Sequence, residues 1–145
     1  RIMAGNSKKP RKQYKPRRAG IPVTIRFGAE DENRLQIYAH AELLKLRNGL
    51  ADAPTWHTLT CRLNIGQTIA HHKGHSDAAK DTMAASLAAM RSIWQRHEAT
   101  GKWGGTGDEL TAIGNGLVLT DELQKVTTRR DLKAVLDHVN RVAAY

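Results

Sequence analysis

Ser76-Asp77-Ala78-Ala79-Lys80-Asp81-Thr82-Met83-Ala84-Ala85-Ser86-Leu87-Ala88-Ala89-Met90-Arg91-Ser92-Ile93-Trp94 has the clearest helical period in the chain. Ala79, Met83, Leu87, Met90 and Trp94 recur at intervals of three and four, which places them on one face of a helix. Ser76 stands where a side-chain oxygen can cap that helix, and Thr100-Gly101 supplies its stop. The stripe is long enough to be the centre of a core, so this helix is expected to be the central one.

The same period recurs on both sides. Upstream, from about Asp31, Leu35, Ile37, Tyr38, Ala41, Leu44 and Leu46 fall at helical spacings before Asn48-Gly49. Asp52-Ala53-Pro54-Thr55 is a turn and start signal. Thr55 is expected to cap a helix with Trp56, Leu59, Leu63 and Ile69 on one face, broken by His71-His72-Lys73-Gly74-His75. Downstream, Thr106-Gly107-Asp108-Glu109 has the form of a capping box ahead of Leu110, Ile113 and Leu117, and Leu119 and Leu123 continue the pattern. Gly114 and Gly116 inside that helix each cost roughly 1 kcal/mol relative to Ala, so they call for a close helix–helix approach or a kink. Thr128-Arg129-Arg130-Asp131 repeats the cap-plus-acid signal before Leu132, Val135, Leu136, Val139 and Val142. Short connections between about five helices make an all-α helical bundle.

Composition agrees. The chain has 145 residues, room for one core. Aromatic residues are 5%, so Leu, Ile, Val, Ala and Met must fill the interior. Cys61 is the single cysteine, which excludes an intramolecular disulfide and makes a reducing compartment the default. No apolar run has the length of a membrane span, and the basic opening lacks the apolar stretch of a secretory signal. A cytoplasmic protein that does not engage membrane is expected.

The charge is concentrated at one end. Lys and Arg number 23 against 14 acids, a net of +9. Residues 1–18 hold eight of those bases (Arg1, Lys8, Lys9, Arg11, Lys12, Lys15, Arg17 and Arg18) and no acid, so the remainder has a net charge of +1. Two domains follow: a basic flexible arm at 1–20 and the helical bundle at 21–145. Within the arm, Pro10 and Pro16 favour extended backbone, and few apolar residues offset the entropy of ordering it. Ile21-Pro22-Val23-Thr24-Ile25-Arg26-Phe27-Gly28 alternates, and is read as an extended segment lying on the body through Val23, Ile25 and Phe27.

A dense run of cations selects polyanions, nucleic acid first. Lys8, Lys9, Arg11, Lys12, Lys15, Arg17 and Arg18 are expected to neutralise phosphates, and Tyr14 to stack on an exposed base. Arg129 and Arg130, with Lys125 and Lys133 nearby, form the best candidate for a contact on the body. The partner expected is nucleic acid or a nucleoprotein complex. An acidic protein groove is the alternative partner for such an arm.

Three other constellations point more weakly to chemistry. His57 and Cys61 lie four apart, and His71, His72 and His75 share one turn. They would make a zinc site only if that turn folded back, and the spacing matches no zinc module. A histidine turn can also contact phosphate when protonated. Gly101-Lys102-Trp103-Gly104-Gly105-Thr106-Gly107 leads into a helix start, but Asp108 and Glu109 there would repel a phosphate and the P-loop spacing is missing. The reading preferred is a loop pinned by Trp103. Ser86, Ser92, Asp81 and the histidines form no nucleophile–base pattern. No catalytic residue, metal or cofactor is expected, and the protein is read as a binding protein rather than an enzyme.

Lys8-Lys9-Pro10-Arg11-Lys12-Gln13-Tyr14-Lys15-Pro16 resembles the KKPRKxYxP opening of a family of small proteins encoded in bacteriophages and prophages of betaproteobacteria. Thr55-Trp56-x-x-Leu59, Leu63-Asn64-Ile65, Gly101-Lys102-Trp103-Gly104 and Thr106-Gly107-x-Glu109-Leu110 extend the resemblance over most of the chain. It implies a phage accessory protein inside a bacterial host cell, and it implies no activity and no catalytic residues. In that setting the alternatives to nucleic-acid binding are a protein-directed regulator or inhibitor that binds a host protein, for example of a defence system, and a virion-associated structural protein whose arm touches packaged DNA or a neighbouring subunit.

Overall fold

Five helices account for almost all of the described chain. A computed structural model describes residues 29–143, with side chains from 36 to 141. In order the helices are α1 (Ala29–Arg47), α2 (Ala53–His72), α3 (Asp77–Thr100), α4 (Gly107–Lys125) and α5 (Arg129–Ala143). The fold is all-α, as expected. The extended reading of residues 21–28 lies outside the described residues, as does the basic arm.

Local chemistry sets the helix ends. Thr55 does not cap α2. Asp52 is the N-cap, its carboxylate accepting from the Thr55 N–H at 3.0 Å, while the Thr55 hydroxyl accepts from the Asp52 N–H at 3.3 Å. Asp52 wins because Pro54, which lacks an N–H, fits the first turn where no donor is needed. Ser76 caps α3 through the Ala79 N–H, and Gly101, at φ +75°, closes it in the left-handed conformation. Thr106 and Glu109 form the expected reciprocal box on α4. Thr128 accepts from the Asp131 N–H at the start of α5.

The central helix is α2, not α3. It packs against each of the other four helices, whereas α3 packs mainly on α2 and α4. The reason lies in the width of the buried arc. Leu59, Leu63, Ile69 and Ala70 are fully buried, and Thr55, Arg62, Ile65 and Gly66 are buried beside them. The α3 stripe faces one side only. Met83, Leu87 and Met90 are buried as expected, but Ile93 takes the deep position and Trp94 stands at the edge.

Small residues set how closely these helices approach. A methyl group at Gly66 would lie 2.1 Å from Thr120 Oγ1 and 2.8 Å from Met83 Cε. At Gly116 it would lie 2.5 Å from both Cβ and Oγ of Ser86 and 2.8 Å from Leu63 Cδ2. Gly116 therefore sits at a close helix–helix approach, as expected, and α4 runs unbroken. The hydroxyls at these two contacts are satisfied within their own helices: Ser86 donates to Met83 O at 2.7 Å and Thr120 to Gly116 O at 2.8 Å.

The buried face of α1 differs from the expected stripe. Ile37, Tyr38 and Leu44 are 68%, 56% and 57% exposed, and Ala41 is exposed too. Leu46 is buried as expected, but Ala39 and Leu43 face the core beside it in place of the others. Both sets have helical spacing, so periodicity alone does not choose between them. Contacts with α4 choose: Leu43 Cδ2 sits 3.6 Å from where a Gly114 Cβ would be, and His40 Nε2 lies 2.9 Å from Asp121 Oδ2. Asp121 Oδ1 also accepts from Arg62 Nη2 at 3.0 Å, and Arg62 Nη1 donates to Gln124. A buried guanidinium thereby has its charge balanced, and α1, α2 and α4 are joined in one polar network.

Candidate nucleic-acid interface

Helix direction decides which charged residues share an end of the bundle. The contacts Leu43–Gly114 and His40–Asp121 run α1 antiparallel to α4. The start of α1 thus lies at the end where α4 finishes in Lys125. Lys73, at the C-terminus of α2, pairs with Asp131 in the first turn of α5 at 2.5 Å, so these termini meet there too. Ala29, where the described chain begins, lies at this end.

Asp131 has two further partners. Its backbone N–H donates to Thr128 Oγ1 at 3.2 Å, and the Thr128 hydroxyl donates to its carboxylate at 2.9 Å. Hydrogen bonds from the Lys73 ammonium and then from Thr128 hold this carboxyl below the usual carboxylate range. Lys73 and Asp131 thereby neutralise one another. Lys125, Arg129, Arg130 and Lys133 are all exposed and make no ion pair among the described residues. The cluster anticipated at Arg129 and Arg130 is therefore an open cationic surface. Lys8, Lys9, Arg11, Lys12, Tyr14, Lys15, Arg17 and Arg18 lie outside the described residues.

Beside this surface is an open cleft of about 510 Å³ between α2 and α5. Gln67, Thr68, His71 and His72 form one wall, and Ala134, Val135, His138 and Arg141 the other. Among the described residues no carboxylate lines it. Arg130, Ala134 and His138 follow one another at four-residue intervals, so Arg130 stands one turn above the cleft on the same side of α5. Sequence reasoning noticed His71 and His72 but missed His138 and Arg141. The available signal was the polar face of α5, which repeats at helical spacing opposite Leu132, Val135, Leu136 and Val139.

The other histidines are elsewhere. His57 and His71 are fourteen residues apart on one unbroken helix, roughly 21 Å along its axis, so the turn cannot fold back on His57 and Cys61. Among the described residues no three His, Cys, Asp or Glu side chains gather as a metal-binding group. Cys61 is half-buried, and burial pushes its thiol pKa up, away from the reactive thiolate.

His57 instead joins an aromatic cluster with all three tryptophans at the opposite end of α2. Trp56 and Trp94 have ring centres 4.8 Å apart, and His97 stacks on Trp103 at 3.7 Å with 8° between planes. Trp56 Nε1 donates to Met90 O at 2.9 Å. The glycine-rich loop is pinned by this cluster through Trp103. Arg96 adds a second fastening, donating to Gly104 O at 2.6 Å and to both Glu109 oxygens at 3.0 Å. The helix start below the loop is occupied by the chain's own Glu109, which accepts from the Thr106 N–H at 2.8 Å.

Among the described residues no helix is long and apolar enough to cross a membrane. No family model matches the chain, and no similar protein is found among curated sequences or solved structures.

Proposed function

We propose that this protein binds nucleic acid, or a complex containing it, without catalysing a reaction. The arm is the main electrostatic contact and Arg129 and Arg130 the contact on the body. One observation carries this reading: the helix that continues the arm begins at the end of the bundle where Lys125, Arg129, Arg130 and Lys133 are exposed. A polyanion held by Lys8, Lys9, Arg11, Lys12, Lys15, Arg17 and Arg18 would meet that surface without crossing the bundle. Each neutralised phosphate releases counterions, and Tyr14 adds stacking on an exposed base. Backbone contacts of this kind carry little sequence specificity. The resemblance of the basic opening to phage-encoded proteins would set this activity in the cytoplasm of a bacterial host.

Salt dependence tests it. With about six phosphates contacted, affinity should fall roughly 10³-fold between about 50 and 200 mM salt. Deleting residues 1–18 should abolish binding and leave the melting temperature unchanged. Salt-independent binding, or full binding after deletion, refutes the reading. The exposed apolar side of α1, with Ile37, Tyr38 and Leu44, favours a second reading in which the arm docks on an acidic protein. Association in a pull-down that survives nuclease treatment would establish that alternative.

A further inference from the structure

We infer that the α2–α5 cleft binds one nucleotide unit of a single strand, its phosphate on Arg141 and its base among the imidazoles of His71, His72 and His138. This rests on the nucleic-acid reading above and assigns the strand a specific seat on the body. The lining selects for charge first. Among the described residues Arg141 is its one permanent charge and no carboxylate lines it, and the neighbouring Asp131 is taken up by Lys73. Arg141 makes no ion pair among the described residues. Its Nε donates to the Asp137 carbonyl at 3.3 Å, which leaves the terminal nitrogens for a phosphate.

The lining then selects for a ring. His71 and His72 on α2 and His138 on α5 are exposed, so both walls offer aromatic faces, and stacking is how unpaired bases are held. Ala134 and the buried Val135 give an apolar floor between them. Gln67 supplies both a donor and an acceptor for a base edge. The Thr68 hydroxyl already donates to Asn64 O at 2.8 Å, so toward a ligand it can only accept. A volume of about 510 Å³ is in the range of small-molecule sites. A base stacked inside a duplex cannot enter, so the cleft favours single strands.

Direction along α5 connects the cleft to the cationic surface. From Arg130 to Arg141 is eleven residues, roughly 16 Å of helix. A strand lying along this side would touch Arg130, seat one nucleotide, and leave past Arg141. Neither the glycine-rich loop nor the aromatic cluster takes part.

The test uses the full chain and titrates 5′-AMP and 5′-UMP at constant ionic strength, followed by NMR. Saturable shifts are expected at residues 67–72 and 134–141, including the imidazole signals of His71, His72 and His138. Adenosine and inorganic phosphate should each bind at least about tenfold more weakly, because each lacks half of the contacts. His138→Ala with Arg141→Gln, both at exposed positions and checked for unchanged circular dichroism, should remove the shifts. The same pair should lower affinity for a single-stranded oligonucleotide about tenfold and leave that for the matching duplex unchanged. Equal shifts with inorganic phosphate, no saturable shift, or equal loss on single strand and duplex overturns the assignment. Salt-dependent binding lost on deleting residues 1–18, with no mononucleotide signal, would keep the arm and reject the cleft. Mononucleotide shifts with no contribution from the arm would do the reverse.

Discussion

Replacing Gly116 by alanine should destabilise the protein, although alanine is the better helix former. The new methyl carbon would sit 2.5 Å from Ser86 Cβ and Oγ and 2.8 Å from Leu63 Cδ2. Carbon atoms pack at about 3.5–4.0 Å, so α3 and α4 must separate by about 1 Å or Ser86 must move. Ser86 is fully buried and its Cβ is fixed to the α3 backbone, so it cannot swing aside. Overpacking of this kind costs roughly 1–3 kcal/mol, here toward the upper end, and the gain in helix propensity returns about 1 kcal/mol. The net loss should be about 2 kcal/mol, or about 4–8 °C in melting temperature for a chain of this size. Gly114→Ala is the control, two residues earlier on the same helix. Its methyl group would meet only Leu43 Cδ2 at 3.6 Å, an ordinary contact, so that variant should gain about 0.5–1 kcal/mol. Urea unfolding followed by circular dichroism at 222 nm, with m-values compared, measures both. Ser86→Gly in the Gly116→Ala background should recover part of the loss, giving a coupling of roughly 1 kcal/mol or more. Shifts of the same sign in the two glycine variants, or a Gly116→Ala variant as stable as the parent, would refute the close α3–α4 approach.

Leu43→Ala should cost roughly 2–5 kcal/mol while Ile37→Ala stays within about 0.5 kcal/mol, and the reverse order in urea unfolding would restore the other face of α1 to the core. Thr106→Ala should cost roughly 0.5–2 kcal/mol by removing the α4 cap, and a fully neutral variant would argue against the Thr106–Glu109 box. Acid should destabilise the fold. The Arg96 hydrogen bonds hold the Glu109 carboxyl below its usual value, and Lys73 does the same for Asp131. The folded state therefore binds these protons less readily than the unfolded chain. Their stabilisation is full above the unfolded carboxylate value of roughly 4 and is lost as pH falls through the lower folded values. Urea midpoints taken from pH 7 to pH 3 should stay level and then drop below about pH 4, with a shallower drop for Glu109→Gln; a drop of the same steepness in that variant would show that Glu109 contributes nothing.

Spacing and capping chemistry determined the helices by themselves. Ser76, Thr106 and Thr128 cap where a hydroxyl precedes a helical period, and Gly101 ends α3 because the left-handed turn needs a residue without a Cβ. These are interactions over three or four residues, so the chain order contains them. The charge of residues 1–18 is likewise a property of the sequence alone. What required the tertiary structure was every choice between equivalent local patterns. α1 has two apolar stripes, and only Gly114 and Asp121, some seventy to eighty residues away, pick Leu43 and Ala39 over Leu44 and Ile37. α2 rather than α3 is central because its buried arc is wider, and a wide arc matters only once four neighbours fill it. Arg62 reads as a surface cation until Asp121 and Gln124 on α4 close over it. The cleft has the same origin. His71 and His72 stand sixty-six or more residues before His138 and Arg141, and no local rule joins them. Their proximity comes from the packing of α5 on α2, driven by Leu132, Val135, Leu136 and Val139, whose burial fixes where the polar face of α5 must lie.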